Sequence, residues 1–183
     1  MRSFLFHQPP RWQKTRLNPR QSLSPKLRSW VYEQSSLTQR LRAQYGEAVK
    51  VKVLLQRWHL PFFSERQALR LPLHRHCLLR EVCLYVDELP LILARTVLPL
   101  PTIQIAHRKL SRLGTRPLGE VIFAYPNLAR LSTEICHVAE KNWSANLKEI
   151  LPIEHEIVGR RTVYTIDKHP MLVSEFFMPA LLR

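Results

Sequence analysis

Two apolar runs on either side of an acidic turn dominate the middle of this 183-residue sequence. They span residues 76–98, HCLLREVCLYVDELPLILARTVL, and are rich in Val, Ile, Leu and Tyr, which is typical of buried β-strands. A short turn between two such runs predicts an antiparallel hairpin. With a two-residue loop at Glu88 and Leu89, Arg80 is predicted to pair with Val97.

This predicted pairing places two arginines on one side of the hairpin. Directly opposite residues share a side of the sheet, and successive residues of a strand alternate between its sides. The residues predicted on this side are Leu78, Arg80, Val82, Leu84, Val86, Leu91, Leu93, Arg95 and Val97. Because a guanidinium keeps its proton, burying Arg80 or Arg95 among aliphatic side chains requires a carboxylate of the protein or an anionic ligand.

A carboxylate occupies a similar position in the last predicted strand, MLVSEFFMP. The residues that alternate on one side of it are Met171, Val173, Glu175 and Phe177. Two interpretations remain open. Either Glu175 neutralises Arg80 or Arg95 in the core, or these groups face a shared cavity in which an arginine binds an anion and Glu175 meets a hydroxyl.

Capping residues and periodicity predict the remaining elements. The predicted helices begin after Ser24, after Ser35 or Ser36, at Thr102 and near Pro117, and a longer helical segment covers 127–150. The predicted additional strands cover 48–57 and 161–167. No apolar run is long enough to predict a membrane span.

The chain carries 28 Lys and Arg against 14 Asp and Glu, a net charge of +14. Residues 1–28 contain no acid, and 1–23 are predicted to form a basic, flexible lead-in to a domain over 24–183. Because the remaining basic residues are scattered, a basic surface is favoured over a dedicated nucleic-acid site. Cys77, Cys83 and Cys136 are odd in number and widely spaced, and Cys77 and Cys83 are expected to be buried thiols in a reducing compartment, by default the cytoplasm. The pair His74 and His76 lacks further ligands at typical spacing, so no metal site is predicted.

Four strings, in this order, resemble the chorismate pyruvate-lyases, bacterial enzymes at the start of the ubiquinone head-group pathway. They are LLREVCLYVDELPLILARTVLP, LGTRPLGEVIF, GRRTVYTI and KHPMLVSEFFMPA. The resemblance implies an α+β fold with a single antiparallel sheet of roughly six strands, helices packed on it and helical flaps over a buried ligand. It also implies conversion of chorismate to 4-hydroxybenzoate and pyruvate without a cofactor or metal, by a protein we expect to be a monomer.

The resemblance also assigns site residues. It implies that Arg80 binds the ring carboxylate, that Glu175 contacts the ring hydroxyl and that Leu118 contributes from the flap. Leu37 stands where the family has a methionine that lines the site, and its similar volume suits that role. The resemblance does not assign Arg95. The predicted register alone places this residue on the side of Arg80, and we expect it to face the second carboxylate of chorismate.

Two other functions remain possible from the sequence. The implied fold also occurs in effector-binding domains of bacterial transcription regulators, so a non-catalytic sensor of aromatic acids would use the same residues. Turnover of chorismate distinguishes this sensor from an enzyme. A nucleic-acid-binding protein, suggested by charge alone, would bind DNA or RNA with an affinity that falls steeply with salt.

Overall fold

A computed structural model describes residues 3–14, 23–106 and 109–183. In this part of the chain, seven strands form one antiparallel sheet in the order β1-β5-β6-β7-β4-β3-β2. The strands are β1 (Gln13–Lys14), β2 (Val49–His59), β3 (Cys77–Val86), β4 (Leu89–Leu98), β5 (Leu128–Val138), β6 (Ile157–Ile166) and β7 (His169–Phe177). The predicted antiparallel sheet is confirmed, and the two-residue β1 is its smallest member.

Within the described ranges, six short α-helices pack on this sheet. They are α1 (Pro25–Val31), α2 (Leu37–Tyr45), α3 (Phe63–Ala68), α4 (Leu100–Ile105), α5 (Leu118–Ile122) and α6 (Ala145–Ile150). The first two begin as the sequence predicts, because Ser24 and Ser36 each accept a hydrogen bond from a backbone amide in the first turn. Helix α3 lies in a stretch for which the sequence predicts neither a helix nor a strand. The α+β fold class is confirmed.

The two sides of the sheet are covered by different elements. We call the side that carries Arg80 the helical side, since α1, α2, α4 and α5 pack on it. The opposite side carries Arg95 and is covered by α3, α6 and the segment of residues 3–14. Because side chains alternate along every strand, each central strand contributes to two cores.

The register of the central hairpin differs by one residue from the prediction. Arg80 pairs with Thr96, whereas Arg95 pairs with Glu81 and therefore lies on the side opposite to Arg80. Two local features cause the shift. The loop consists of Asp87 and Glu88, with Asp87 at a φ of 51°, and a bulge opposite Leu84 and Tyr85 inserts one residue next to Pro90, which has no amide hydrogen to donate.

Residues 128–138 form strand β5, so the helix predicted over 127–150 is wrong in its first half. A bulge between Arg130 and Ser132 interrupts the alternation, and Leu131 is 63% exposed. This interruption gives the apolar residues a spacing of three and four, which resembles that of a helix. The helical part is confined to α6 and a single 3₁₀ turn, Glu140–Asn142.

The flexible lead-in predicted over 1–23 falls partly on residues 1–2 and 15–22, which lie outside the described residues. The described part departs from that prediction, because Leu5 and Phe6 are buried. The Phe6 ring stacks on Trp143 with centroids 4.9 Å apart, and both rings contact Phe176 in β7. The N-terminal segment and the segment around Trp143 thus cover the same side of the sheet together.

None of the helices in the described ranges is long and apolar enough to cross a membrane.

Candidate active site

A cavity lies between the helical side of the sheet and the helices α2 and α5. The start of α2 and helix α5 form its cover, while β3, β4, β6 and β7 form its floor. Its free space is about 50 Å³, which is enough for about three to five water molecules. Four predicted site residues, Leu37, Arg80, Leu118 and Glu175, line this cavity together.

Arg80 is a buried cation at one end of the cavity. Its Nη1 donates a hydrogen bond to Gln56 Oε1 at 2.8 Å, and its Nη2 lies 3.4 Å from the carbonyl oxygen of Arg116. Both partners are neutral. Burial lowers the pKa of Arg80 below its ordinary value, because no negative charge compensates for the lost water. The guanidinium still remains charged at any physiological pH.

The other buried arginines differ from Arg80 in this respect. They are Arg95, Arg160 and Arg161, and each forms an ion pair with at least one glutamate. No described carboxylate forms an ion pair with Arg80. Since burying an unpaired charge costs several kcal/mol, Arg80 is the buried arginine to which an anionic ligand could supply the missing charge.

Glu175 stands at the other end of the cavity and pairs with Arg160. Its Oε2 accepts hydrogen bonds from Nε at 2.9 Å and from Nη2 at 2.7 Å. Within the described residues, Oε1 has no hydrogen-bond partner, so one carboxylate oxygen remains available to a ligand. Burial is the largest single influence on Arg160 and lowers its pKa, but the charge and hydrogen bond of Glu175, together with Tyr164 and Glu33, outweigh it and raise this pKa above its ordinary value.

Tyr164 adds a phenol to the same end of the cavity. Burial, followed by the negative charge of Glu175, raises the pKa of this phenol, so it stays protonated near neutral pH. Its oxygen accepts a hydrogen bond of 3.0 Å from Arg130 Nη2. Its own proton is thus free to be donated to a ligand.

The cover of the cavity depends on a close approach of α2 and α5. A Cβ atom on Gly119 would lie 2.7 Å from Ser36 Oγ and 3.3 Å from Thr38 Oγ1. Only a glycine fits between these hydroxyls without movement. The adjacent Leu118 then reaches the cavity from α5, opposite Leu37 at the start of α2.

The prediction that Arg95 faces this cavity is wrong. Because of the shifted register, Arg95 lies on the opposite side of the sheet, where Glu65 binds its Nε at 2.6 Å and its Nη2 at 3.0 Å, and Glu81 binds its Nη1 at 2.5 Å. These two carboxylates raise the pKa of Arg95 despite its burial. The sequence left open an ion pair between Glu175 and either Arg80 or Arg95. Neither pair forms, because Glu175 pairs with Arg160.

Sequence reasoning missed Arg160, the second buried arginine on the helical side. Alternation along GRRTVYTI was the available signal, because it places Arg160 and Tyr164 on one side and Arg161 on the other. The predicted strand began at Arg161, one residue too late to include Arg160. Glu175 lies on the helical side together with Arg80. It pairs with Ala94, which is two positions from Thr96, and Thr96 is the partner of Arg80.

Comparison with known proteins identifies the family. The family model described as chorismate lyase matches residues 8–183 of this sequence. The chain belongs to the chorismate lyase family. A relative from Methylococcus capsulatus, named probable chorismate pyruvate-lyase, is 40% identical over 156 residues, which are 85% of this chain and 96% of that protein. One of the same name from Thiobacillus denitrificans is 37% identical over 158 residues, covering 85% of this chain and 84% of that protein.

Solved structures share the fold of this lyase-family chain at low sequence identity. The C-terminal domain of PhnF has a TM-score of 0.56 at 15% identity, with 70% of this chain and 82% of that chain covered. The C-terminal domain of the histidine utilization repressor from Pseudomonas syringae has a TM-score of 0.54 at 12% identity, covering 74% of this chain and 94% of that chain. These similarities concern the fold alone.

Proposed function

We propose that this chain converts chorismate into 4-hydroxybenzoate and pyruvate in the cavity on the helical side of the sheet. The observation that carries the proposal is Arg80, a buried cation whose contacts are neutral oxygens. An anionic substrate would supply the charge that the surrounding protein does not. Membership of the chorismate lyase family gives this substrate its identity.

The reaction requires orientation more than added reagents. The ring carbon that bears the hydroxyl loses its hydrogen as a proton, while the bond from the neighbouring carbon to the enolpyruvyl oxygen breaks. The electron pair of the broken C–H bond completes the aromatic ring. The departing enolate takes up a proton at its methylene carbon and becomes pyruvate. Aromatisation supplies the driving force, so the enzyme has to hold the dianion, exclude water and stabilise the developing charge.

Each lining residue has a role in this proposal. Arg80 holds the ring carboxylate through charge-assisted hydrogen bonds. Glu175 orients the ring hydroxyl through Oε1, the oxygen that Arg160 does not engage. Leu37 and Leu118 pack on the faces of the ring and keep water out. The apolar cover also predicts slow release of the aromatic product, because α2 and α5 must separate first.

Replacing Glu175 with glutamine is expected to impair turnover more than binding. The amide keeps the shape and still bonds to the hydroxyl, but it cannot accept a proton or place a negative charge beside the ring. We expect kcat to fall about 100-fold or more, while the Kd of 4-hydroxybenzoate changes by less than about tenfold. Steady-state kinetics and calorimetric titration, at a temperature where the variant is folded, measure the two effects. A Glu175→Gln enzyme with the parent kcat would limit Glu175 to positioning.

We also propose that the protein acts as a monomer in the cytoplasm. The cytoplasmic location is supported by Cys77, Cys83 and Cys136, which are buried free thiols. Burial raises the pKa of the Cys77 and Cys83 thiols to about 12, which keeps them unreactive. Sedimentation equilibrium of the purified protein tests the monomeric state.

A further inference from the structure

Two arginines of the sheet hold the chain segment that connects α1 to α2. Arg160 Nη1 donates to the carbonyl oxygens of Val31 at 3.2 Å and Glu33 at 2.7 Å. Arg130 Nη2 donates to the carbonyl oxygen of Gln34 at 3.1 Å, and its Nη1 reaches the Gln34 side chain at 3.0 Å. We call residues 31–35 the cover segment, because Ser35 at its end lines the cavity.

Arg160 differs from Arg130 because it also binds Glu175. Its Nε and Nη2 contact the carboxylate, while its Nη1 contacts the cover segment. A guanidinium is planar and rigid, so these two sets of contacts are fixed relative to each other. The position of the Glu175 carboxylate and the position of the cover segment are thus linked through one side chain.

We propose that Arg160 is a positioning residue that holds Glu175 in its reactive orientation and couples this orientation to closure of the cover segment. The inference rests on the proposed function, since it concerns the same cavity. When the cover segment lifts, Arg160 loses its carbonyl partners and Glu175 loses its fixed orientation. Chemistry is therefore confined to the closed cavity, in which water cannot reach the developing enolate.

The chain offers a matched control for Arg160. Arg161, the next residue, is also a buried arginine paired with a glutamate, but it lies on the opposite side of the sheet. Its Nε donates to Glu134 at 2.9 Å, and its guanidinium lies 4.8 Å from the Trp12 ring. A purely structural role of buried arginine pairs in β6 would give Arg160→Gln and Arg161→Gln similar effects on the enzyme.

The proposal predicts different effects for these two variants. In Arg160→Gln we expect kcat for chorismate to fall about 100-fold, because a displacement of the reacting groups by about 1 Å costs a factor of this size. KM for chorismate changes by less than about tenfold, because Arg80 still holds the ring carboxylate. In Arg161→Gln both kcat and KM remain within about threefold of the parent values, even where the melting temperature falls.

Two further variants separate the contacts of Arg160 and remain informative if Arg160→Gln fails to fold. Arg160→Lys keeps the positive charge beside Glu175 but loses the fork that reaches the carbonyl groups. Arg130→Gln removes contacts to the cover segment, together with the hydrogen bond to Tyr164, and leaves the Arg160–Glu175 pair intact. In both, the proposal predicts faster dissociation of 4-hydroxybenzoate, measured by stopped-flow displacement.

Several outcomes would overturn the inference. Identical kcat and KM values for Arg160→Gln and Arg161→Gln would reduce Arg160 to a core ion pair. Parent-like dissociation of 4-hydroxybenzoate from both Arg160→Lys and Arg130→Gln would remove the link to the cover segment. Failure of the proposed function is distinguishable, because the parent protein would then produce no pyruvate, whereas the dissociation rates would still report on closure.

Discussion

Replacing Arg80 with methionine lowers kcat/KM for chorismate by about 100-fold or more and leaves the protein at least as stable as the parent. Methionine fills a similar space, but it cannot bind a carboxylate. Two charge-assisted hydrogen bonds, each contributing about 1.5–3 kcal/mol, account for a loss of this size. Stability is expected to hold because Arg80 has only neutral partners, so the variant removes an unpaired buried cation. Steady-state kinetics and thermal unfolding measure the two effects.

Arg57→Met is the matched control for this variant. Arg57 belongs to β2 and is exposed, so its replacement should leave kcat/KM unchanged and shift the free energy of unfolding by no more than about 0.5 kcal/mol. The opposite pattern in Arg80→Met, with normal turnover and a large loss of stability, would assign Arg80 to the core and remove the basis of the proposed carboxylate site.

Replacing Arg95 with methionine is expected to cost about 3–5 kcal/mol of the free energy of unfolding. The variant leaves Glu65 and Glu81 buried without the cation that pairs with both. Glu81 also accepts hydrogen bonds from Ser3 Oγ at 2.5 Å and from the amide of Leu5 at 3.1 Å, so the N-terminal segment should loosen with it. Urea unfolding of Arg95→Met, with Arg57→Met as the control, measures the loss.

The folded fraction of Arg95→Met should retain its activity per folded molecule, because this residue lies on the side of the sheet opposite to the cavity. Titration of 4-hydroxybenzoate at low temperature gives the concentration of competent sites for this comparison. A variant as stable as the parent but without turnover would restore the role that the sequence suggested for Arg95.

The contrast between Arg80 and Arg95 shows what the sequence can predict about this site. Alternation along β7 is unbroken, so the side of the sheet that carries Glu175 follows directly from its spacing to Val173. The register of the hairpin depends on which residues form its loop, and the bulge beside Pro90 changes this register by one residue. A shift of one residue is enough to exchange the two sides.

Contacts between distant segments could not be predicted from the sequence for a different reason. The hydrogen bonds from Arg160 to Val31 and Glu33 join residues more than 120 positions apart, and no local pattern encodes them. The same applies to the stack of Phe6 on Trp143, which joins the N-terminal segment to a distant part of the chain. Their joint packing depends on tertiary structure alone.

Incubation of the purified protein with chorismate tests the central claim most directly. The assay follows 4-hydroxybenzoate by chromatography and pyruvate by a coupled dehydrogenase, with Arg80→Met and a protein-free sample as references. The account predicts equal amounts of the two products, formed by the parent protein and strongly reduced with Arg80→Met. Tight binding of 4-hydroxybenzoate without pyruvate formation above the protein-free rate would contradict it and would make this chain a sensor of aromatic acids.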